Sequence, residues 1–405
     1  MLTDSAATLW AVLRWQPEPK RKERKRMKKL SRRSFIKGVA ATAGVIAAGG
    51  ALSGCGGSKD GGSGDKPAVD TETMLPLTIG YWGGNCCELG VYVAIENGCF
   101  QAAGIDPTIM VITADTTTLL ANDEIDFFLV TPGNFPAVVE GVNLKVVDTM
   151  HTGCWSGMTL EKTGVTDCAS LSGRKVGTSS LTHPAYVETM ALCARQGGDP
   201  SKIDWVIYDN SLLLQALKDG EVDAIIGIDS SLYPTVMNTE GGKFFYTSAQ
   251  ELADYYCCFI GCNSHTLEAH PEAGDKLALA FANAVDILNQ DVDAAVEMAI
   301  EKGYTVGEYP EIEKGLARNY LYNHGNHDDF TASIKERFRE LYDCGLLGED
   351  AKNMSEDEAE AFLDQLTEQF GEWHGDVAAA ARPLAELAAE RGDAFGTNAN
   401  DLKSL

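Results

Sequence analysis

The chain has 405 residues, 44% of them apolar and 23% charged, enough for one large domain or two lobes around a sizeable core. Its formal charge of −26 is unevenly spread. Residues 1–54 carry 12 basic and 3 acidic side chains, leaving 21 and 56 for the remainder and a net charge of −35 there, a balance that argues against nucleic acid or anionic lipid as partners of the body.

In chain order, the first segment reads as a processing signal. The basic run "PKRKERKRMKK" precedes "SRRSFIK", which fits a twin-arginine export signal. The Ala/Gly-rich run from Gly38 to Gly54 is too short and too weakly apolar to span a membrane comfortably. "LSGC" then reads as a bacterial lipobox, with cleavage before a lipidated Cys55. Met27 begins a complete n-region by itself, so residues 1–26 look like an over-long gene start. Residues 1–55 are thus the signal, and 56–73, rich in Gly, Ser and charge, a flexible tether. The expected location is extracytoplasmic, anchored to the cell membrane by lipid.

The folded body starts near Met74 and alternates strand and helix. Strands are expected at "LPLTIGYW", "PTIMVI", "IDFFLV" and "LKVVDTM", with helices at "ELGVYVAIENGCF", "TTTLLAND" and "NFPAVVEG" between them. "GRKVGTSS", "IDWVIYD" and "VDAIIGI" repeat the strand pattern, separated by helices at "PAYVETMALCARQG" and "LLLQALKDG". This alternation predicts parallel sheets covered by helices. After Leu267 the pattern is helical, over Lys276–Asn289, Val292–Lys302, Pro310–Tyr320, Ala332–Cys344 and Glu356–Gln369, with an Ala/Glu helix in the tail from Val377 to Arg391.

Two stretches echo one another. "LLANDEIDFFLVTPGN" (Leu119–Asn134) and "ALKDGEVDAIIGIDSS" (Ala216–Ser231) each run from a helix through a polar turn and an Asp into an apolar strand, then into a small-residue loop. Two such units predict two similar lobes. Loops of this kind offer backbone N–H groups to an anion or a polar head.

With those landmarks in order, "LTIGYWGGNCCELGVYVAIENGCFQAAGIDPTIMV", "LLANDEIDF", "LSGRKVGTSS" and "LKDGEVDAII" resemble the substrate-binding proteins of nitrate/sulfonate/taurine-type ABC importers, a family that includes pyrimidine-precursor binders. The resemblance runs from about Leu75 to about Ala284. It implies an α/β fold of the periplasmic-binding-protein type II, with one lobe over 74–160 and 262–375, the other over 161–261, and a helical tail over 376–405. Two crossing strands near "GMTLEK" and "YYCCFIG" would form the hinge. It also implies a monomer without a cofactor that captures a small anionic or sulfonate-like ligand by closure and presents it to an ABC permease and its ATPase, with no bond made or broken. The cleft-facing candidates are Trp82, Gly84 and Asn85; Thr131, Gly133 and Asn134; Ser179, Ser180, Thr182 and His183; and Asp229 and Ser230. Trp155 and Tyr186 could wall an organic tail.

The thiols depart from that family. Ten cysteines follow Cys55, at positions 86, 87, 99, 154, 168, 193, 257, 258, 262 and 344. No pair has zinc-finger spacing. Cys86 and Cys87 fall in the first cleft loop, Cys154 just before one hinge strand, and Cys257, Cys258 and Cys262 on or beside the other. Reduced core cysteines, disulfides and a soft-metal site all remain open. "YYCCFIGC" resembles the Cys-Cys-Cys-Phe-Cys motif of the fungal thiamine-pyrimidine synthases, which share this fold and bind iron there, although Tyr256 replaces the first cysteine and the last is displaced to Cys262. The alternative reading is therefore a synthase-like or metal-binding protein using Cys257, Cys258 and Cys262. Elsewhere the chain has no G-x-S-x-G, P-loop or H-E-x-x-H. "HGNHDDF" (His324–Phe330) reads as a helix start capped by Asp328 or Asp329 rather than as a metal pair.

Overall fold

A computed structural model describes residues 69–378 apart from 253, 306 and 349, together with 383, 384, 386 and 387. The export signal, Cys55, most of the tether and most of the tail helix lie outside the described residues.

Two five-stranded sheets organise the chain. The strands are β1 (Leu75–Tyr81), β2 (Ile105–Val111), β3 (Phe127–Val130), β4 (Leu144–His151), β5 (Trp155–Leu160), β6 (Lys175–Thr178), β7 (Asp204–Ile207), β8 (Ala224–Ile228), β9 (Gly242–Thr247) and β10 (Cys258–Asn263). The helices are α1 (Leu89–Glu96), α2 (Cys99–Ala102), α3 (Thr116–Ala121), α4 (Phe135–Val139), α5 (Pro184–Arg195), α6 (Asn210–Asp219), α7 (Asp229–Met237), α8 (Ser248–Glu251), α9 (Ser264–Ala269), α10 (Glu272–Gln290), α11 (Val292–Lys302), α12 (Pro310–Asn319), α13 (His327–Asp343) and α14 (Glu356–Phe370).

The first sheet has the order β2-β1-β3-β10-β4 and the second β7-β6-β8-β5-β9. β1 is parallel to β2 and β3, and β6 is parallel to β7 and β8. In each sheet the fourth strand is antiparallel to both neighbours. Those fourth strands, β5 and β10, are buried at every residue. The chain reaches β5 from the first sheet through residues 152–154 and returns to β10 from the second through 248–257. Of the expected hinge stretches, residues 157–160 lie on β5 and 258–261 on β10, the strands that follow the crossovers. β5 thus belongs to the second sheet and β10 to the first, so the sheets divide the chain at the crossovers rather than after 160 and 261.

The sequence echo has a physical basis. Asp126 takes the N–H of Thr78 on its carboxylate at 2.7 Å and donates its own N–H to the Thr78 carbonyl at 3.0 Å. Asp223 does the same with Lys175, at 3.0 and 2.8 Å. Each Asp thus ties the start of its strand to the parallel neighbour, satisfying backbone groups that the short ladder leaves open.

The helices follow their sequence patterns. α10 buries Ala273, Leu277, Ala280, Phe281, Ala284, Val285 and Leu288 at three- and four-residue spacing, one stripe facing the first sheet. Phe281 meets Phe127 of β3 with ring centroids 4.7 Å apart. α14 starts at a capping box in which the Ser355 and Glu358 side chains each accept the other's N–H. α13 corrects the sequence reading in two respects. It begins at His327, ahead of Ala332, and its cap is Asn326, whose side chain accepts the Asp329 N–H at 2.9 Å. Asp328 and Asp329 lie instead in the first turn, where the helix dipole favours acids. His324 is buried and His327 exposed, so they do not form a pair. Among the described residues, no helix is long and apolar enough to cross a membrane.

Candidate functional site

The two crossovers touch. Gly153 has φ 54°, and a Cβ there would come within 2.4 Å of the Ala249 Cα, so only glycine lets the segments meet. The Ser248 hydroxyl accepts the N–H groups of Cys154 at 3.0 Å and Trp155 at 2.9 Å. The Cys154 carbonyl accepts from Asp229 N–H at 3.0 Å, and the His151 carbonyl accepts from Cys257 N–H at 3.1 Å. The ends of β4, β5, β8 and β10 therefore converge on one buried seam.

Several predicted ligand residues gather there. Trp155 is 3% exposed and its indole Nε1 has no hydrogen-bond partner. Its ring meets the His183 ring edge-on at 5.4 Å. His183 caps α5, its Nδ1 accepting the Ala185 N–H at 3.2 Å, and burial pushes its pKa down to about 4. The ring is therefore neutral at pH 7. The Ser230 hydroxyl is buried without a partner as well. Its neighbour Asp229 takes the Ser230 N–H at 2.6 Å and the Tyr320 hydroxyl. Burial pushes the Asp229 carboxyl up to about 8, against the pull of those two hydrogen bonds.

The loops after β3 and β6 meet at Gly133, where a Cβ would stand 2.5 Å from the Thr182 carbonyl oxygen. Thr131 and Asn134 satisfy one another in a cap, the Asn134 side chain accepting the Thr131 N–H at 2.9 Å. Ser180 and Thr182 share a hydroxyl hydrogen bond of 2.7 Å, and Ser179 is half-buried beside them. Tyr186 packs edge-on against Trp205 at 4.7 Å. Trp82 and Gly84 line an open depression of about 420 Å³ with Tyr304. The Gly84 N–H donates to the Tyr304 carbonyl at 2.6 Å. Asn85 is buried and accepts the Cys87 sulfhydryl at 2.6 Å.

Among the described residues the ten thiols are all free, and all but Cys344 are buried. Three of their sulfurs form a triangle in the seam: Cys154 to Cys257 is 3.5 Å, Cys154 to Cys258 3.8 Å and Cys257 to Cys258 3.6 Å. His151 completes the group, with one ring nitrogen within 4.8 Å of all three sulfurs. Its Nδ1 lies 3.5 Å from the Cys257 sulfur and 3.1 Å from the Thr152 carbonyl, and its Nε2 is buried without a partner. Burial opposes a thiolate at Cys257. Hydrogen bonds from the Cys154 and Cys258 sulfhydryls and the His151 ring outweigh it and hold the Cys257 thiol well below its usual range. Cys262 is not in the group. It stands at the far end of β10, opposite Phe127 and Lys145. Sequence reading missed His151, although the "HTGCW" stretch puts a His and a Cys three apart just before the hinge strand.

Behind the seam lies a second cluster that the sequence did not announce. Arg337 of α13 bonds Glu340 at 2.8 Å and Glu188 of α5 at 3.4 Å, all three side chains fully buried. The Arg337 Nε donates to the Tyr256 carbonyl at 3.2 Å, one residue before Cys257.

The geometry has the outline of known folds. The Candida albicans CA3427 gene product, which exhibits the generic periplasmic binding protein structural fold, superposes with a TM-score of 0.57 and 17% identity, covering 74% of this chain and 96% of its own. The alkanesulfonate-binding protein SsuA from Xanthomonas axonopodis pv. citri, bound to MOPS, gives 0.55 and 13%, covering 68% and 94%. The periplasmic nitrate-binding protein NrtA from Synechocystis PCC 6803 gives 0.53 and 13%, covering 81% and 92%. These likenesses show the fold, that of the periplasmic binding proteins. No curated protein matches the sequence. The model of the family described as NMT1/THI5 like matches residues 86–295, half of the chain, and to that family this chain belongs.

Proposed function

We propose that the chain is an extracytoplasmic solute-binding protein that closes two lobes over a small polar ligand and delivers it to an ABC permease. Each sheet with its helices is one lobe, and the crossovers 152–154 and 248–257 are the hinge. The signal and Cys55 would tether it to the outer face of the membrane by lipid. It acts as a monomer, without making or breaking a bond.

The observation that carries this reading is a pair of orphaned donors. The Trp155 indole N–H and the Ser230 hydroxyl are buried in the seam between the sheets with nothing to bond. Leaving such groups unpaired costs about 1–3 kcal/mol each, so a ligand that accepts from both recovers that energy on closure. A neutral His183 beside Trp155 adds a polar wall without charge. An oxyanion or carbonyl-bearing head suits this set.

The test is a thermal-shift screen of nitrate, alkanesulfonates and pyrimidine precursors, followed by uptake assays in a strain lacking the gene. A ligand that raises the melting temperature and whose uptake is lost with the gene supports the proposal. Turnover of a thiamine precursor by the pure protein, or unchanged uptake of every ligand that binds, would sink it.

A further inference from the structure

The thiol triangle has the dimensions of one face of a metal's coordination tetrahedron. A tetrahedral ion with metal–sulfur bonds of about 2.3 Å holds its sulfurs about 3.8 Å apart. The three edges here are 3.5, 3.6 and 3.8 Å. A disulfide needs its sulfurs about 2.0 Å apart, and three sulfurs cannot all be paired among themselves. The His151 ring supplies a fourth donor, with one nitrogen within 4.8 Å of all three sulfurs and Nδ1 3.5 Å from the Cys257 sulfur.

We propose that Cys154, Cys257, Cys258 and His151 form a site for one thiophilic d10 metal ion, with zinc(II) the best fit, and that the ion staples the two crossovers together. Three thiolates and one imidazole are a donor set for tetrahedral zinc. All four side chains are buried, and four protein donors leave no open position, so the site holds its ion rather than offering it to a substrate. Binding releases the protons carried by the thiols. Only Cys257 and Cys258 belong to the stretch that resembles the fungal motif. The other two donors are His151 at the end of β4 and Cys154 in the first crossover, and Cys262 takes no part.

The position gives the ion a role. His151 and Cys154 flank residues 152–153, while Cys257 ends the return crossover and Cys258 begins β10. An ion bonded to both segments holds them at the spacing of the closed seam. Metal binding stands on these four residues, whereas its effect on closure rests on the two-lobe reading above.

The experiment uses the full-length chain, purified without oxygen and stripped with a chelator. Zinc(II) is titrated in competition with a chromophoric chelator, and cobalt(II) is used as a spectroscopic probe. One equivalent of zinc is expected, together with a thiolate-to-cobalt charge-transfer band and tetrahedral d–d bands. Cys154→Ala and Cys257→Ala should each lose more than about 100-fold in zinc affinity, beyond the 10–100-fold that losing a second-shell partner costs, while Cys262→Ala binds as the parent does. X-ray absorption of the zinc-loaded parent tests the donors without a variant: three sulfurs and one nitrogen are expected. A shell of oxygen and nitrogen alone, substoichiometric zinc, or a mass showing a Cys154–Cys257 disulfide in the anaerobic protein overturns the site. Small-angle scattering with and without zinc then reads closure. Zinc bound by three sulfurs and one nitrogen with no compaction would leave the site standing and overturn the staple.

Discussion

Arg337 and Glu188 meet at 3.4 Å, one from α13 beside the first sheet and one from α5 beside the second, both out of reach of solvent. Glu340 shares the same guanidinium. Burial pushes both carboxyls up, while the Arg337 charge pulls them down. Removing Arg337 strands two buried acids, which costs more than the pair contributes. Arg337→Met should destabilise the protein by about 3–5 kcal/mol. Adding Glu188→Gln and Glu340→Gln to it should recover most of that loss. Urea denaturation of the two variants decides the matter, and equal instability in both would show that packing, not charge, sets the cost.

What the sequence made legible was local. The alternation of strands and helices, the lengths of α11 and α12, and the paired units around Asp126 and Asp223 all rest on contacts between neighbouring elements, and periodicity and turn chemistry report those. Of the candidate site, the sequence could place Trp155 at the start of a strand and Ser230 just after one, where β5 begins and α7 follows β8. The donors proposed for the metal were not. Cys154 and Cys257 are 103 residues apart, and Arg337 and Glu188 are 149 apart, so no local pattern joins them. Cys262 misled for the converse reason. Four residues along a strand span about 13 Å, so closeness in sequence to Cys258 carries the sulfur away from the seam.

His183 sets a pH dependence. Its folded pKa of about 4 lies below the ordinary 6.5, because burial disfavours the charged ring and Nδ1 already accepts the Ala185 N–H. A depressed pKa means that its contribution is fully present above pH 6.5 and is lost as pH falls toward 4. Stability should therefore decline through that window. His183→Asn keeps a side-chain acceptor at the cap while removing the titration, and its stability between pH 6.5 and 4 should be flatter than the parent's. Parallel pH profiles for the two proteins would discard this role for His183.

The orphaned donors make the ligand reading specific. Trp155→Phe keeps the ring that meets His183 and deletes only the indole N–H. The free protein should lose no stability, since that donor has no partner to lose, while ligand affinity should fall about 5-fold, the worth of one hydrogen bond. Ser230→Ala should behave alike. Calorimetry on whichever ligand the screen returns separates this from a structural role, because a structural residue would lower the melting temperature of the empty protein as well.

The proposed closure can be probed at Gly133. Its Cα faces the Thr182 carbonyl so closely that a methyl would stand 2.5 Å from the oxygen and 3.1 Å from the Pro184 ring. Carbonyl and ring belong to the start of α5, and neither is a flexible side chain that can turn aside. Gly133 follows β3 of the first sheet, whereas Thr182 follows β6 of the second, so the collision falls between the loops of the two sheets, which the proposed function assigns to different lobes. Gly133→Ala should consequently fold with a melting temperature close to the parent's, because each lobe can keep its own core by opening slightly. The opened form should show a larger radius in solution scattering and a ligand affinity more than about 10-fold weaker, the loss expected when about 1.4 kcal/mol of closure energy is removed. A variant that melts much earlier with unchanged radius would mean that this contact belongs to a rigid core, and that the seam does not open there.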